Sequence, residues 1–242
     1  MPFVKRKAAS YIRKAHRYLG IFLGIQFLMW TISGMYFSWT DIDEIHGDHF
    51  RKNHVHPTTF SYLPGISEVA PQMQINSLQL KDIAGEPYYW VNNEKLVHAR
   101  NGEQKQEITE DEAVKIAKKH MLDSMKITGV EKITETGDHH EYRGGPLPAY
   151  VISYAGQEKP KAYISAVDGT FKSVRHRDWR WFDFLWMTHT MDYDTRDDFN
   201  TSILRAFSLL GLITVLSGFV LWFISSPTMM GVFGKKGKRK KR

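Results

Sequence analysis

The sequence contains no cysteine. That absence excludes disulfides, thiolate metal sites, cysteine-ligated iron–sulfur clusters and covalently attached c-type haem. Haem held without a covalent link, by histidines, stays open. Catalytic signatures are missing as well: there is no G-x-S-x-G nucleophile turn, no H-E-x-x-H helix and no glycine-rich phosphate loop. With no nucleophile–base arrangement in view, the reading leans away from an enzyme.

Acidic residues are absent from both ends. Residues 1–17 carry Lys5, Arg6, Lys7, Arg13, Lys14 and Arg17, and the tail carries seven more basic residues between Lys235 and Arg242. The remaining 20 basic residues face all 26 acids, leaving the interior of the chain at a net −6. The pI of 9.4 is therefore a property of the two ends. A basic run such as "KKGKRKK" also suits anionic lipid headgroups, so nucleic acid is not the expected partner.

The mean hydropathy of −0.39 hides two long apolar runs. Tyr18–Trp39 and Ile203–Ile224 are 22 residues each, with Arg205 as their only charge. At 1.5 Å per residue each reaches ~33 Å, which matches a hydrocarbon core of ~30 Å. Arg205 lies near enough to an end to snorkel. The first run ends in "YFSW" rather than a small-residue cleavage site, so it reads as an uncleaved anchor. The positive-inside rule then predicts both termini in the cytoplasm and the stretch between the helices outside.

That stretch has its own pattern. "ITEDEAVKIAKKHM" (108–121) predicts a helix. Thr109 and Glu112 form a capping box, and Ala113, Ile116, Ala117 and Met121 make one apolar stripe. Residues 86–103 predict two strands around Asn92-Asn93, and 148–175 a hairpin around 156–160 with a further turn at Asp168-Gly169. One helix with antiparallel strands makes an α+β unit. An internal echo, an aromatic strand ending in Ala-x-Asn/Asp-Gly, recurs in "YYWVNNEKLVHARNGEQ" and "AYISAVDGTFKSV". It reads either as a repeat or as two ordinary hairpins.

These segments resemble a known family. The 108–121 helix, its paired strands and "AYISAVDGTFKSV" look like a PepSY domain. "HRYLGIFLGIQFLMWTISGMYFSW" and "WMTHTMDYDTRDDFN" with the second apolar run look like the PepSY-associated transmembrane helix family. The resemblance implies an α+β membrane protein of the bacterial inner membrane, with two transmembrane helices flanking an extracytoplasmic PepSY-like domain. The expected order is a cytoplasmic basic N-terminus (1–17), a first transmembrane helix (18–39) and a periplasmic PepSY-like region (40–177). An interfacial amphipathic helix with an acidic loop (178–200), a second transmembrane helix (201–225) and a cytoplasmic basic tail (226–242) follow. Four-helix relatives include ferric-siderophore reductases, in which the resemblance implies haem b between histidines. Here neither span holds a histidine in its apolar interior.

The candidate sites are histidines. His189 ends a Trp-rich segment in which Trp179, Phe182, Trp186 and His189 share one helical face. It reads as an interfacial histidine bonded to a neighbouring carboxylate, as a haem or metal ligand, or as a partner contact. His16 lies at the opposite membrane face, on a stripe with Gly20, Gly24, Phe27, Thr31 and Gly34, facing Ser208, Gly211, Val215 and Gly218 of the second helix. Such small residues suit either helix packing or a groove for a flat macrocycle. Histidines a bilayer apart cannot both ligate one haem within one chain, so a bis-histidine site needs a homodimer or larger assembly. The outer juxtamembrane segment offers His46, His49, His54 and His56 among acids, with Asp192 and His189 as partners for a transition metal.

Two functions follow. One is an accessory module for membrane or periplasmic partners, in iron or siderophore uptake. The other is a haem- or metal-binding electron-transfer subunit of the ferric-reductase type. Peptidase inhibition is a third possibility, implied only by the resemblance.

Overall fold

The computed structural model describes residues 6–196 and 198–225. The expected basic tail 226–242, residues 1–5 and Asp197 lie outside the described residues. The chain divides into two compact units, one holding the segments up to Trp39 and from Leu185 onward, the other Thr40–Phe184.

Two long helices build the first unit, α1 (Arg6–Trp39) and, last in the chain, α6 (Ser202–Ser225). Their apolar stretches, Ser10–Trp39 and Ser202–Phe223, are long enough to cross a membrane. Only 11% of each apolar window is buried, whereas a core helix of a soluble domain hides most of its surface. Ile21, Phe22, Ile25 and Leu28 on α1, and Leu209, Leu212, Leu216 and Phe219 on α6, stand exposed. Apolar side chains around most of both helices require a lipid environment. Helix α1 starts well before its apolar run, because Arg6–Arg17 is rich in Ala, Lys and Arg, all strong helix formers.

Where α1 and α6 touch, Phe22 stacks on Phe207 with centroids 5.6 Å apart, and Leu23 is fully buried. The small-residue stripes take part unevenly. Gly211 lies under the Phe27 ring and Gly218 under His16, whereas Gly20 and Gly24 face open space. The contact is thus large-on-small across the pair, and the glycines of α6 supply the small side.

The second unit opens with short helices α2 (Ile42–Ile45) and α3 (Ile66–Val69), with a 3-10 turn at Asp48–Phe50 between them. Strands β1 (Leu78–Ile83), β2 (Glu86–Val91), β3 (Lys95–His98) and β4 (Gln104–Lys105) form one antiparallel meander. Helix α4 (Glu110–His120) follows, and then a second meander of β5 (Ile127–Ile133), β6 (Ala149–Tyr154), β7 (Lys161–Ser165) and β8 (Phe171–Arg175). Helix α5 (Arg177–Thr190) carries the chain out of the unit.

Helix α4 forms for the reasons its sequence suggests. The Thr109 hydroxyl accepts from the Glu112 N–H at 3.3 Å, and the Glu112 carboxylate accepts from the Thr109 N–H at 2.7 Å. Ala113, Ile116, Ala117 and Met121 are all buried in one core with Ile83, Trp90 and Leu96 of the first sheet and Ile152 and Ile164 of the second. Lys81 of β1 pairs with Asp168 in the β7–β8 turn, joining the two sheets by charge as well.

The echo seen in the sequence corresponds to two hairpins with the same turn geometry. Gly102 N–H donates to His98 O (2.9 Å), as Gly169 N–H does to Ser165 O (3.0 Å). His98 N–H donates to Glu103 O (2.8 Å), and Ser165 N–H to Thr170 O (2.9 Å). Ala99 N–H reaches Pro87 O as Ala166 N–H reaches Pro148 O, both at 2.9 Å. At Gly102 and Gly169, φ is +73° and +67°, a left-handed conformation that favours glycine at both turns.

Candidate functional site

His189 closes α5, and its imidazole lies half-buried against α1. Its Nδ1 is 2.7 Å from the Ser33 hydroxyl oxygen, its carbonyl accepts from the Trp30 indole N–H at 2.7 Å, and Phe37 meets the ring edge-on. The partner is a hydroxyl, not the carboxylate the acidic neighbours suggest. Ser33 is fully buried and spends its one O–H on the Met29 carbonyl (2.7 Å). With the hydroxyl proton so placed, its oxygen accepts in the tautomer that carries the proton on Nδ1 of His189, which leaves the lone pair on Nε2. Burial pushes the imidazole below its ordinary pKa, which favours the neutral ring.

His16 repeats the arrangement at the other end of α1. Its Nδ1 is 2.7 Å from the Ser217 hydroxyl, which donates to the Thr214 carbonyl at 2.7 Å. The same logic leaves Nε2 of His16 with the free lone pair. Each histidine also rides over the glycine after its serine, Gly34 for His189 and Gly218 for His16. Positions 16 and 33 on α1 are about 26 Å apart along the helix axis. One haem within one chain cannot take both rings.

The acids after His189 fold on themselves. Asp192 is buried and accepts backbone N–H groups of Asp194 (3.2 Å), Thr195 (3.2 Å) and Asp198 (2.8 Å), together with the Thr195 hydroxyl. Burial raises the carboxyl pKa, but these donors outweigh it and hold the group at about 2. All the bonds are local, so the visible role of Asp192 is to close the loop before α6.

In the second unit His46, His54 and His56 are exposed and join no cluster of ligating side chains among the described residues. His49 does. Its imidazole, the Glu158 carboxylate and the His176 imidazole bring one atom each within 4.8 Å of one another. His49 lies on the 3-10 turn, Glu158 on the β6–β7 turn, and His176 between β8 and α5. The sequence offers no signal for this grouping, since Glu158 and His176 sit singly in stretches with no recognisable spacing. His139 is exposed. Its neighbour Glu141 is tied down, accepting from Tyr163 Oη (2.6 Å) and Arg180 Nε (2.6 Å).

The pair of long apolar helices agrees with one comparison. A family model described as PepSY-associated TM region matches residues 13–242. The chain belongs to this family. No curated protein matches it, and no solved structure does. As a PepSY-associated transmembrane protein it is membrane-associated.

Proposed function

We propose that this PepSY-associated protein is an accessory subunit of the bacterial inner membrane. It holds its α+β unit on the periplasmic side for a protein partner, in the service of iron or siderophore uptake. The observation behind the partner role is strand β1. It is a terminal strand of its sheet, and Leu78 and Leu80 stand 42% and 51% exposed. A terminal strand with exposed apolar side chains suits an extended segment of another protein, which would add as a further strand. The link to iron rests on the resemblance to ferric-siderophore reductases. A photo-crosslinking residue at position 80, in the native host, should trap a discrete membrane or periplasmic protein. Leu78→Lys should abolish the adduct. Deleting the gene should slow growth when a ferric siderophore is the sole iron source. Equal growth and no adduct would contradict the reading.

A second reading, a haem-binding electron-transfer subunit, is favoured by the tautomers of His16 and His189. Each would offer Nε2 to an iron, with the Nδ1–H held by a serine, as metal-bound histidines are commonly oriented. Haem would supply a one-electron couple, and a homodimer would supply a second histidine to hold it. The absorption spectrum of detergent-purified protein separates the two. A Soret band lost in His189→Ala but kept in His139→Ala supports haem, and a featureless spectrum leaves the accessory role alone.

A further inference from the structure

The cluster of His49, Glu158 and His176 belongs to neither reading. His176 is fully buried, and its Nε2 lies 3.1 Å from two backbone carbonyls, those of Glu44 and Ile45. Carbonyls only accept, so Nε2 carries a proton. Nδ1 lies 3.1 Å from Glu158 Oε2. Either a second proton on the ring, which makes the contact an ion pair, or a metal ion held by both atoms joins them. His49 Nε2 converges on the same oxygen from 3.6 Å. That is too long for a hydrogen bond.

These separations suit a metal. A tetrahedral ion with ~2.0–2.1 Å bonds holds its ligand atoms roughly 3.4 Å apart; the two separations at Glu158 lie on either side of that value, and the two imidazole nitrogens lie within 4.8 Å of each other. The imidazole rings meet edge-on, 5.2 Å between centroids at 82°. The donor of the buried histidine's other nitrogen to backbone carbonyls is the usual outer support of a metal-ligating ring. Two further contacts hold the cluster in place. Arg177 N–H donates to Glu158 O at 2.8 Å, and the Phe50 ring packs against His176. His49 and Glu158 keep about a third of their side chains exposed, which leaves a path for the ion and room for water as a fourth ligand.

We infer that His49, Glu158 and His176 bind one divalent first-row transition ion, through two imidazoles and one carboxylate. That donor set suits Zn2+ or Fe2+ rather than Ca2+ or Mg2+, which take oxygen ligands. The inference rests on neither function proposed above, because its test reads a metal and neither haem nor a partner.

The full chain, purified in detergent through a tag without histidine and stripped with chelator, is titrated calorimetrically with Zn2+. Its visible spectrum is then recorded with Co2+. The expected result is one equivalent bound, with tetrahedral Co2+ bands. His49→Ala and Glu158→Gln should each weaken Zn2+ binding at least about 10-fold, the scale on which even outer-shell partners act. Both side chains are partly exposed, so these variants keep the fold, which an unchanged melting curve verifies. His54→Ala should leave binding unchanged. Absence of saturable Zn2+ binding would overturn the inference and leave a proton as the bridge between His176 and Glu158. Equal binding in wild type, His49→Ala and Glu158→Gln would overturn it too, as would loss of binding in His54→Ala.

Discussion

Ser33 and Gly47 each do one thing that a neighbouring side chain depends on. The Ser33 hydroxyl sets the His189 tautomer, because its proton is committed to the Met29 carbonyl and only its oxygen is left for the ring. Ser33→Ala should cost ~1 kcal/mol in the detergent-solubilised chain. It should also remove the preference for Nδ1–H, which 15N shifts of labelled His189 would report. An unchanged tautomer signal would mean that something other than Ser33 orients the ring. Gly47 has φ of +81°, and a Cβ there would lie 3.0 Å from Val174 Cβ and Cγ1. Strain and overlap together predict a loss of roughly 1–3 kcal/mol for Gly47→Ala, read as a lower melting temperature of the 40–184 segment. At this scale the sequence marks His189 and His16 as candidates from their positions beside apolar runs. It does not reveal their serine partners, because Ser33 and Ser217 are distant in the chain and look like ordinary packing residues.

Elements show the opposite balance, since periodicity and capping are local. Helix α4 is legible because Thr109-x-x-Glu112 and the 113, 116, 117, 121 stripe are both contained in one short segment. Thr109→Ala should cost ~1 kcal/mol through the lost cap. Ala117→Asp should cost several times more, because it buries a carboxylate beside Ile116 and Met121. Thermal melts of the 40–184 segment, which carries its own core, measure both. The hairpins at Asn92-Asn93 and at 156–160 are legible from their turn residues. Strands β1 and β5 are not, because "LQLKDI" and "ITGVEKI" expose much of their length and lack a clean alternation.

The contact that ties β1 to the second sheet is also hidden from local patterns, and it makes this unit pH-dependent. Burial raises the Asp168 carboxyl pKa, but the Lys81 ammonium and the Thr170 hydroxyl overcome that and hold it at about 2, below the ordinary carboxylate range. A depressed carboxyl contributes stability above its unfolded value and loses it as pH falls through the folded one. The 40–184 segment should therefore lose ~2 kcal/mol between pH about 4 and about 2 through this group. Denaturant midpoints across that window, in wild type and Lys81→Met, check it. An equally steep loss in Lys81→Met would assign the effect to other acids.

For the whole molecule, the two apolar runs and the acid-free ends are what make a membrane protein readable, since length and charge placement need no tertiary contact. The grouping of His49 with Glu158 and His176 is the part no local pattern announces. It arises only when the 3-10 turn, the β6–β7 turn and the end of β8 meet. The account turns on the chain crossing the membrane twice, with Thr40–Phe184 outside the cytoplasm. Topology reporters fused at Gly156, in the β6–β7 turn, and at Lys235 test that most directly. The account predicts a periplasmic signal at Gly156 and a cytoplasmic one at Lys235. A cytoplasmic reporter at Gly156, or a periplasmic one at Lys235, would contradict it.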